Sequence, residues 1–421
     1  MSSGFLFLLV VGLALTAAHV ASDWVARRLL VVSGAEYLVI GVLLGPRGFH
    51  VVSADQLRQF APVTLLALGF IGLSLGMRCH LPSLVQVPGL AWRLAFAQAF
   101  TTLGVVAALV AAILIGRDGL DVALALPPAI ALGAIAAVSL PQAVEVAARA
   151  LGRAGPTVEL LRTATLVDGL IGVSAFGMLM ALGHAPVDGF ARTPTPTEWA
   201  VIATGIGVAC GALFHLFVGG DGSPDRVVIS LAGATLLATG TAAHLGLSPL
   251  YSTTVMGIIL VNTARRREFL EGVLRRAEQP LVFVMLILAG ASWHPGADVA
   301  VALPVIVYLL ARWTGKVGGA RIATRANGAA AEHGLDWGRA LLGQGSLALA
   351  MGYAWLSNGA TQLGDLVFTG AVAGVLFTDL SAARMVRNVL APLLPPQATP
   401  LPAASVARPD APDVAVGRDG E

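Results

Sequence analysis

The chain has 421 residues, of which 56% are hydrophobic and 12% charged, with a mean hydropathy of +0.81. Soluble domains carry about 25% charged residues, so a soluble protein of this length could not cover itself. The 26 basic and 24 acidic residues, net +2, also lack the concentrated basic excess of a nucleic-acid binder. The composition reads as an all-α polytopic membrane protein with no nucleic-acid partner, its main surroundings being the lipid bilayer.

A helix needs about 20 apolar residues to cross the hydrocarbon core. In chain order, the apolar runs predict spans near 4–20, 29–46, 61–79, 90–116, 121–148, 160–184 and 198–219, then 225–245, 248–263, 278–293, 299–322, 337–357 and 362–391. That makes thirteen. No Lys or Arg precedes the first run, whereas a signal peptide needs a basic n-region, so residues 4–20 are expected to be a transmembrane helix. Cys79 and Cys210 have no metal-ligand spacing and read as small packing residues. Residues 1–394 are thus predicted to be one transmembrane domain. After Leu394 the sequence turns to a Pro/Ala/Asp segment, 395–421, expected to be a disordered cytoplasmic tail. No Gly-x-Gly-x-x-Gly stands between a strand and a helix, so no nucleotide-gating domain is expected.

The arginines orient the spans. One set of alternating loops holds Arg27, Arg28, Arg78, Arg149, Arg153, Arg226, Arg265, Arg266, Arg267, Arg275, Arg276, Arg321, Arg325, Arg339, Arg384 and Arg387; the other holds only Arg47, Arg58, Arg117 and Arg192. Positive charge marks the cytoplasmic side. A multi-pass protein of the plasma (inner) membrane follows, with its N-terminus outside and its C-terminus inside, as an odd number of spans requires.

Ionisable groups at membrane depth are costly and mark function. Asp168 lies nine residues beyond Glu159, about 13 Å along a helix, which places it near the midplane. Lys316 is the only lysine; every other basic residue is arginine. Where an anchor suffices the chain uses arginine, and lysine differs in being able to lose its proton when desolvated. Arg312, one turn deeper, could share its role as charge partner. Two spans carry helix-breaking interruptions: Ser139-Leu140-Pro141-Gln142 in the fifth, and Gly343-Gln344-Gly345-Ser346 in the twelfth. Freed backbone groups at depth are tolerated where they line a cavity or meet protein, and two breaks in corresponding places of two halves point to a transporter's central site. His215 and His244 have no partner at ligand spacing and read as packing or interfacial residues, Glu145 is expected to face water, and Glu36 and Asp379 have no assigned role, a nearby arginine being the simplest partner for Asp379.

These residues resemble a family. Tyr37-Leu38-Val39-Ile40-Gly41-Val42-Leu43-Leu44-Gly45-Pro46 is similar to an early segment of monovalent cation:proton antiporters, the sodium/hydrogen exchanger superfamily. Gly72-Leu73-Ser74-Leu75-Gly76-Met77, Ser139-Leu140-Pro141, Val167-Asp168-Gly169, Gly315-Lys316 and Gln344-Gly345-Ser346-Leu347-Ala348 resemble later segments in the same order. The resemblance implies inverted repeats of 13 helices, a dimerisation domain, hence a homodimer, and a mobile core with two crossing broken helices at Pro141 and at Gly343 and Gly345. Asp168 would bind cation and proton in turn, with Lys316 beside it. The departures are Leu140, Val167 and Ser346, where family members carry polar or acidic residues.

Desolvation favours the neutral form of Asp168, while a nearby ammonium favours the carboxylate. A proton and a hard monovalent cation, Na⁺ or K⁺, would then compete for it, with oxygens from Ser139, Thr163 and Thr165 completing the shell. Asp168 is thus the one expected metal ligand, and its metal is the transported cation. Alternating exposure turns competition into antiport. The alternatives are a solute or organic-anion symporter of related fold and a non-transporting membrane regulator. No nucleophile–base pair or metal-ligand cluster appears, so neither enzyme activity nor a cofactor is expected.

Overall fold

The computed structural model describes residue 12 and residues 34–46, 48–152, 155–183, 194–218, 223–264, 267–293, 299–357 and 363–391. The first predicted span, apart from residue 12, and the segment 395–421 lie outside these residues. The described residues are helical, without a strand. The principal helices are α1 (Ala35–Leu44), α2 (Ala61–Met77), α3 (Gly89–Gly116), α4 (Val122–Ala137), α5 (Pro141–Ala150), α6 (Pro156–Leu182) and α7 (Pro196–Val218). They continue with α8 (Pro224–His244), α9 (Pro249–Thr263), α10 (Arg267–Ser292), α11 (Val299–Ala326), α12 (Gly345–Ser357) and α13 (Gly364–Leu390). A 3₁₀ turn, Trp337–Leu341, precedes α12.

Each of the other twelve predicted spans coincides with helix, and α4–α5 and the 3₁₀ turn with α12 are the two interrupted ones. Among the described residues, seven segments are long and apolar enough to cross a bilayer as they stand. Proline opens α5, α6, α7, α8 and α9, at the position where its missing N–H would have had no intrahelical partner. One boundary differs substantially from expectation. The tenth span, predicted from 278, begins at Arg267, because charged residues end the apolar run without ending the helix. Arg267 and Glu271 pair at i,i+4 there, 2.5 Å apart.

The helices sort into two groups. α1, α2, α7, α8, α9 and α10 pack mainly on one another, around Phe70, Leu73, Met77, Phe214, Met256 and Leu274 at one end. α3, α4, α5, α6, α11, α12 and α13 form the second group, whose apolar interior includes Leu94, Leu140, Leu161, Trp337 and Val386. A continuous layer containing Leu68, Ile71, Phe176, Met285 and Met351 joins the two. Between membrane helices, close backbone approach substitutes for a hydrophobic drive. At the α2–α9 crossing a Cβ on Gly76 would stand 2.9 Å from Gly257 Cα, and one on Gly257 would stand 3.0 Å from Gly76 Cα. The glycines of the sixfold Gly72–Met77 segment are therefore packing residues of the first group.

Candidate functional site

The site is built where the two broken helices cross. Pro141 cannot supply a backbone N–H and disfavours helical geometry in the residue before it; Leu140 is accordingly extended (ψ 103°), and Val138, where α4 ends, is extended too (ψ 141°). On the other segment Gly345 adopts φ +74°, a left-handed conformation open to glycine at little cost. The two extended stretches meet through a hydrogen bond from Leu140 N–H to Gly343 O, 2.8 Å. Leu140 also lies over both glycines: a Cβ on Gly343 would come within 3.1 Å of Leu140 Cβ, and one on Gly345 within 2.6 Å of Leu140 Cδ1.

Against this crossing runs one face of α11. Tyr308, Arg312 and Lys316 recur every fourth residue, so they form a single stripe, and all three are fully or almost fully buried. Lys316 Nζ donates to Asp168 Oδ2 at 2.7 Å, to Ala137 O at 2.5 Å and to Ser139 Oγ at 2.9 Å. A lysine ammonium has three donors, and here each has a strong acceptor. Asp168, near the middle of α6 and with no exposed surface, also accepts from Ser139 Oγ at 2.5 Å. The Ser139 hydroxyl is within 2.9 Å of Leu341 O as well, so its one proton has two candidate acceptors.

Gln98 of α3 completes the group. With its amide turned to match the surrounding donors and acceptors, its nitrogen donates to Asp168 Oδ1 at 3.2 Å, and its oxygen accepts from Lys316 Nζ at 3.2 Å and Thr102 Oγ1 at 3.0 Å. Gly315 makes this approach possible, since a Cβ there would stand 2.9 Å from Thr102 Cα. The Gly315-Lys316 pair thus has a double role: the glycine admits α3, and the lysine meets what α3 brings.

Among the described residues, Arg312 bonds carbonyls and no carboxylate. Its guanidinium donates to the carbonyls of Ala136 (3.2 Å), Val138 (3.1 Å), Leu341 (3.4 Å), Leu342 (2.5 Å) and Gly343 (3.4 Å). These are the carbonyls left free where α4 and the 3₁₀ turn end. Asp379, whose role the sequence left open with an arginine as its simplest partner, accepts from the N–H groups of Gln344 (2.7 Å) and Gly345 (2.9 Å). It caps α12, where an anion is favoured by the helix dipole. Gln344 donates to Tyr308 Oη at 2.6 Å, closing the network.

Of the residues singled out from sequence, Ser139, Asp168 and Lys316 are in mutual contact, and Pro141, Gly343 and Gly345 shape the crossing beside them. The hydroxyls of Thr163 and Thr165 bond elsewhere. Thr163 Oγ1 donates to Glu159 O at 2.9 Å, and five residues from Asp168 it points about 140° around the helix. Thr165 Oγ1 donates to Arg162 O at 2.9 Å and accepts from Arg78 Nη2 at 3.4 Å. Glu145 faces water as expected, its side chain 40% exposed, and pairs there with Arg162 at 2.8 and 3.0 Å. The His215 ring bonds the Thr263 hydroxyl, within the first helix group and away from the crossing. Gln98 was not singled out, although an amide with two threonines following inside an apolar span was a readable signal.

No protein-family model matches the chain, and no curated protein does. Solved structures match over nearly its whole length. A structure of the sodium proton antiporter MjNhaP1 from Methanocaldococcus jannaschii at pH 8 superposes with a TM-score of 0.67 at 16% identity, covering 93% of this chain and 98% of its own. The chain has the cation:proton antiporter fold. An electron-microscopy map of the same antiporter agrees, with a TM-score of 0.65 at 15% identity, covering 93% of this chain and 99% of its own. Within this antiporter fold, the buried ion pair lies where the inverted repeats bring their broken helices together.

Proposed function

We propose that this protein exchanges a monovalent cation, Na⁺ or K⁺, for protons by alternating access. The observation that carries the reading is the buried Lys316–Asp168 pair at the helix crossing, 2.7 Å apart and without exposed surface. A cation and an ammonium cannot both occupy Asp168 Oδ2. When a cation takes that place, Lys316 withdraws and its proton becomes free to leave; when the proton returns, the ammonium displaces the cation. One buried carboxylate therefore couples two opposite flows.

The two helix groups supply the moving parts. Side-chain hydrogen bonds that join them among the described residues include Arg78 Nη2 to Thr165 Oγ1, 3.4 Å, at the arginine-rich end, and Trp293 Nε1 to Thr369 Oγ1, 3.2 Å, at the opposite end. Sliding one group against the other would break one and then the other, exposing the crossing to each side in turn. The arginine asymmetry supports a cytoplasmic C-terminus, and we read the chain as a plasma-membrane protein and expect a homodimer built through the first group.

The test is reconstitution in proteoliposomes with a pH-sensitive dye inside, followed by external Na⁺, K⁺ or Li⁺. Antiport predicts luminal alkalinisation with at least one cation. Folded protein that responds to none would remove this reading.

A further inference from the structure

We propose that Arg312 is a positioning residue that withholds five backbone carbonyls from the transported cation and confines it to a four-oxygen corner. The inference rests on the antiport reading above and names the ligands of that same site. Carbonyls freed at broken helices are the usual ligands for a transported Na⁺. Six such carbonyls face α11 here: those of Ala136, Ala137, Val138, Leu341, Leu342 and Gly343. Arg312 occupies five of them and Lys316 occupies the sixth, that of Ala137.

The two side chains differ in what they can release. Arginine keeps its proton throughout, and its planar fork matches several acceptors in fixed directions. Its five carbonyls therefore stay engaged while the site works. Withdrawal of Lys316 frees the groups it touches: Asp168 Oδ2, Ser139 Oγ, Ala137 O and the Gln98 amide oxygen. Those four oxygens surround the place where Nζ had been, and they converge from α6, from the break between α4 and α5, and from α3. Arg312 also holds the two breaks to each other, since its acceptors lie on both chains of the crossing. The corner therefore keeps its dimensions when the ammonium leaves, and a rigid corner discriminates between cations by size.

The experiment compares wild type with Arg312→Gln and Arg312→Lys in the full chain. Cation half-saturation is measured for Li⁺, Na⁺, K⁺ and Rb⁺ in proteoliposomes, and backbone hydrogen exchange is measured in detergent. In Arg312→Gln, half-saturation should rise about tenfold or more for the preferred cation, and the spread among the four cations should narrow. Exchange should accelerate at 138–140 and 341–345 with the outer helices unchanged. Arg312→Lys should recover part of the exchange protection but not the selectivity, because a point charge with three donors cannot hold five acceptors. If Arg312→Gln does not fold, Arg312→Lys carries the test through its selectivity. Unchanged half-saturation and cation order, with only less folded protein, would overturn the proposal. Wild type without any cation-dependent proton movement would instead defeat the antiport reading, and local hydrogen exchange would still decide the positioning role.

Discussion

Lys316 Nζ and Asp168 Oδ2, on helices α11 and α6, meet at 2.7 Å with neither side chain exposed. Separated by 148 positions in the chain, they form an ion pair whose halves depend on each other. Removing one partner of a buried pair strands the other charge and costs about 3–5 kcal/mol, whereas replacing both is often neutral. Asp168→Asn should therefore lower the melting temperature in detergent, as should Lys316→Met. The double variant should melt closer to wild type than either single one, yet show no cation-dependent proton movement. Thermal unfolding of the four proteins in one detergent checks this cycle.

The hydroxyls of the region separate into one that touches the ion pair and two that do not. Ser139→Ala removes a donor to Asp168 and an acceptor for Lys316, and should weaken cation half-saturation by about tenfold, the worth of one hydrogen bond to a charged group. Thr163→Val and Thr165→Val should leave half-saturation within about twofold, since their hydroxyls serve α6 carbonyls and Arg78. Equal effects of the three substitutions on half-saturation would contradict this division.

Asp379 binds two amides of the second break, so its role is graded by how many it can keep. Asp379→Asn retains one acceptor and should cost less than Asp379→Ala, which leaves both buried N–H groups unpaired at about 1–3 kcal/mol each. Melting temperatures in the order wild type, Asn, Ala are expected. An alanine variant as stable as wild type would show that α12 does not need this cap.

At the α2–α9 crossing, Gly76 and Gly257 leave no room for a side chain on either helix. Gly76→Val should destabilise the protein by about 1–3 kcal/mol through overpacking, read as a lower melting temperature, without changing the cation order of any exchange that survives.

Much of this architecture was legible in the sequence because membranes impose coarse rules. Length and apolarity located the helices, Pro141 and the Gly343–Gly345 pair located the breaks, and depth together with uniqueness drew attention to Asp168 and Lys316. What was not legible depends on rotation about helix axes and on contacts between distant segments. Thr163 and Thr165 sit near Asp168 in sequence but spend their hydroxyls on α6 carbonyls and Arg78, whereas Gln98, 70 positions from Asp168 in the numbering, reaches it because Gly315 lets α3 approach. Arg312 was recognisable as a buried cation, yet nothing in its sequence context says that its partners are carbonyls rather than a carboxylate. Asp379 likewise had an arginine side chain as its simplest partner and meets a helix end. Backbone acceptors carry no residue signature, so a sequence reading counts them too low.

The most direct test of the account is proton release from the detergent-solubilised protein in weakly buffered solution when Na⁺, K⁺ or Li⁺ is added. Competition at the Asp168–Lys316 pair predicts release with at least one cation in wild type and none in Asp168→Asn. Release that persists undiminished in folded Asp168→Asn would place the exchange elsewhere and contradict the account.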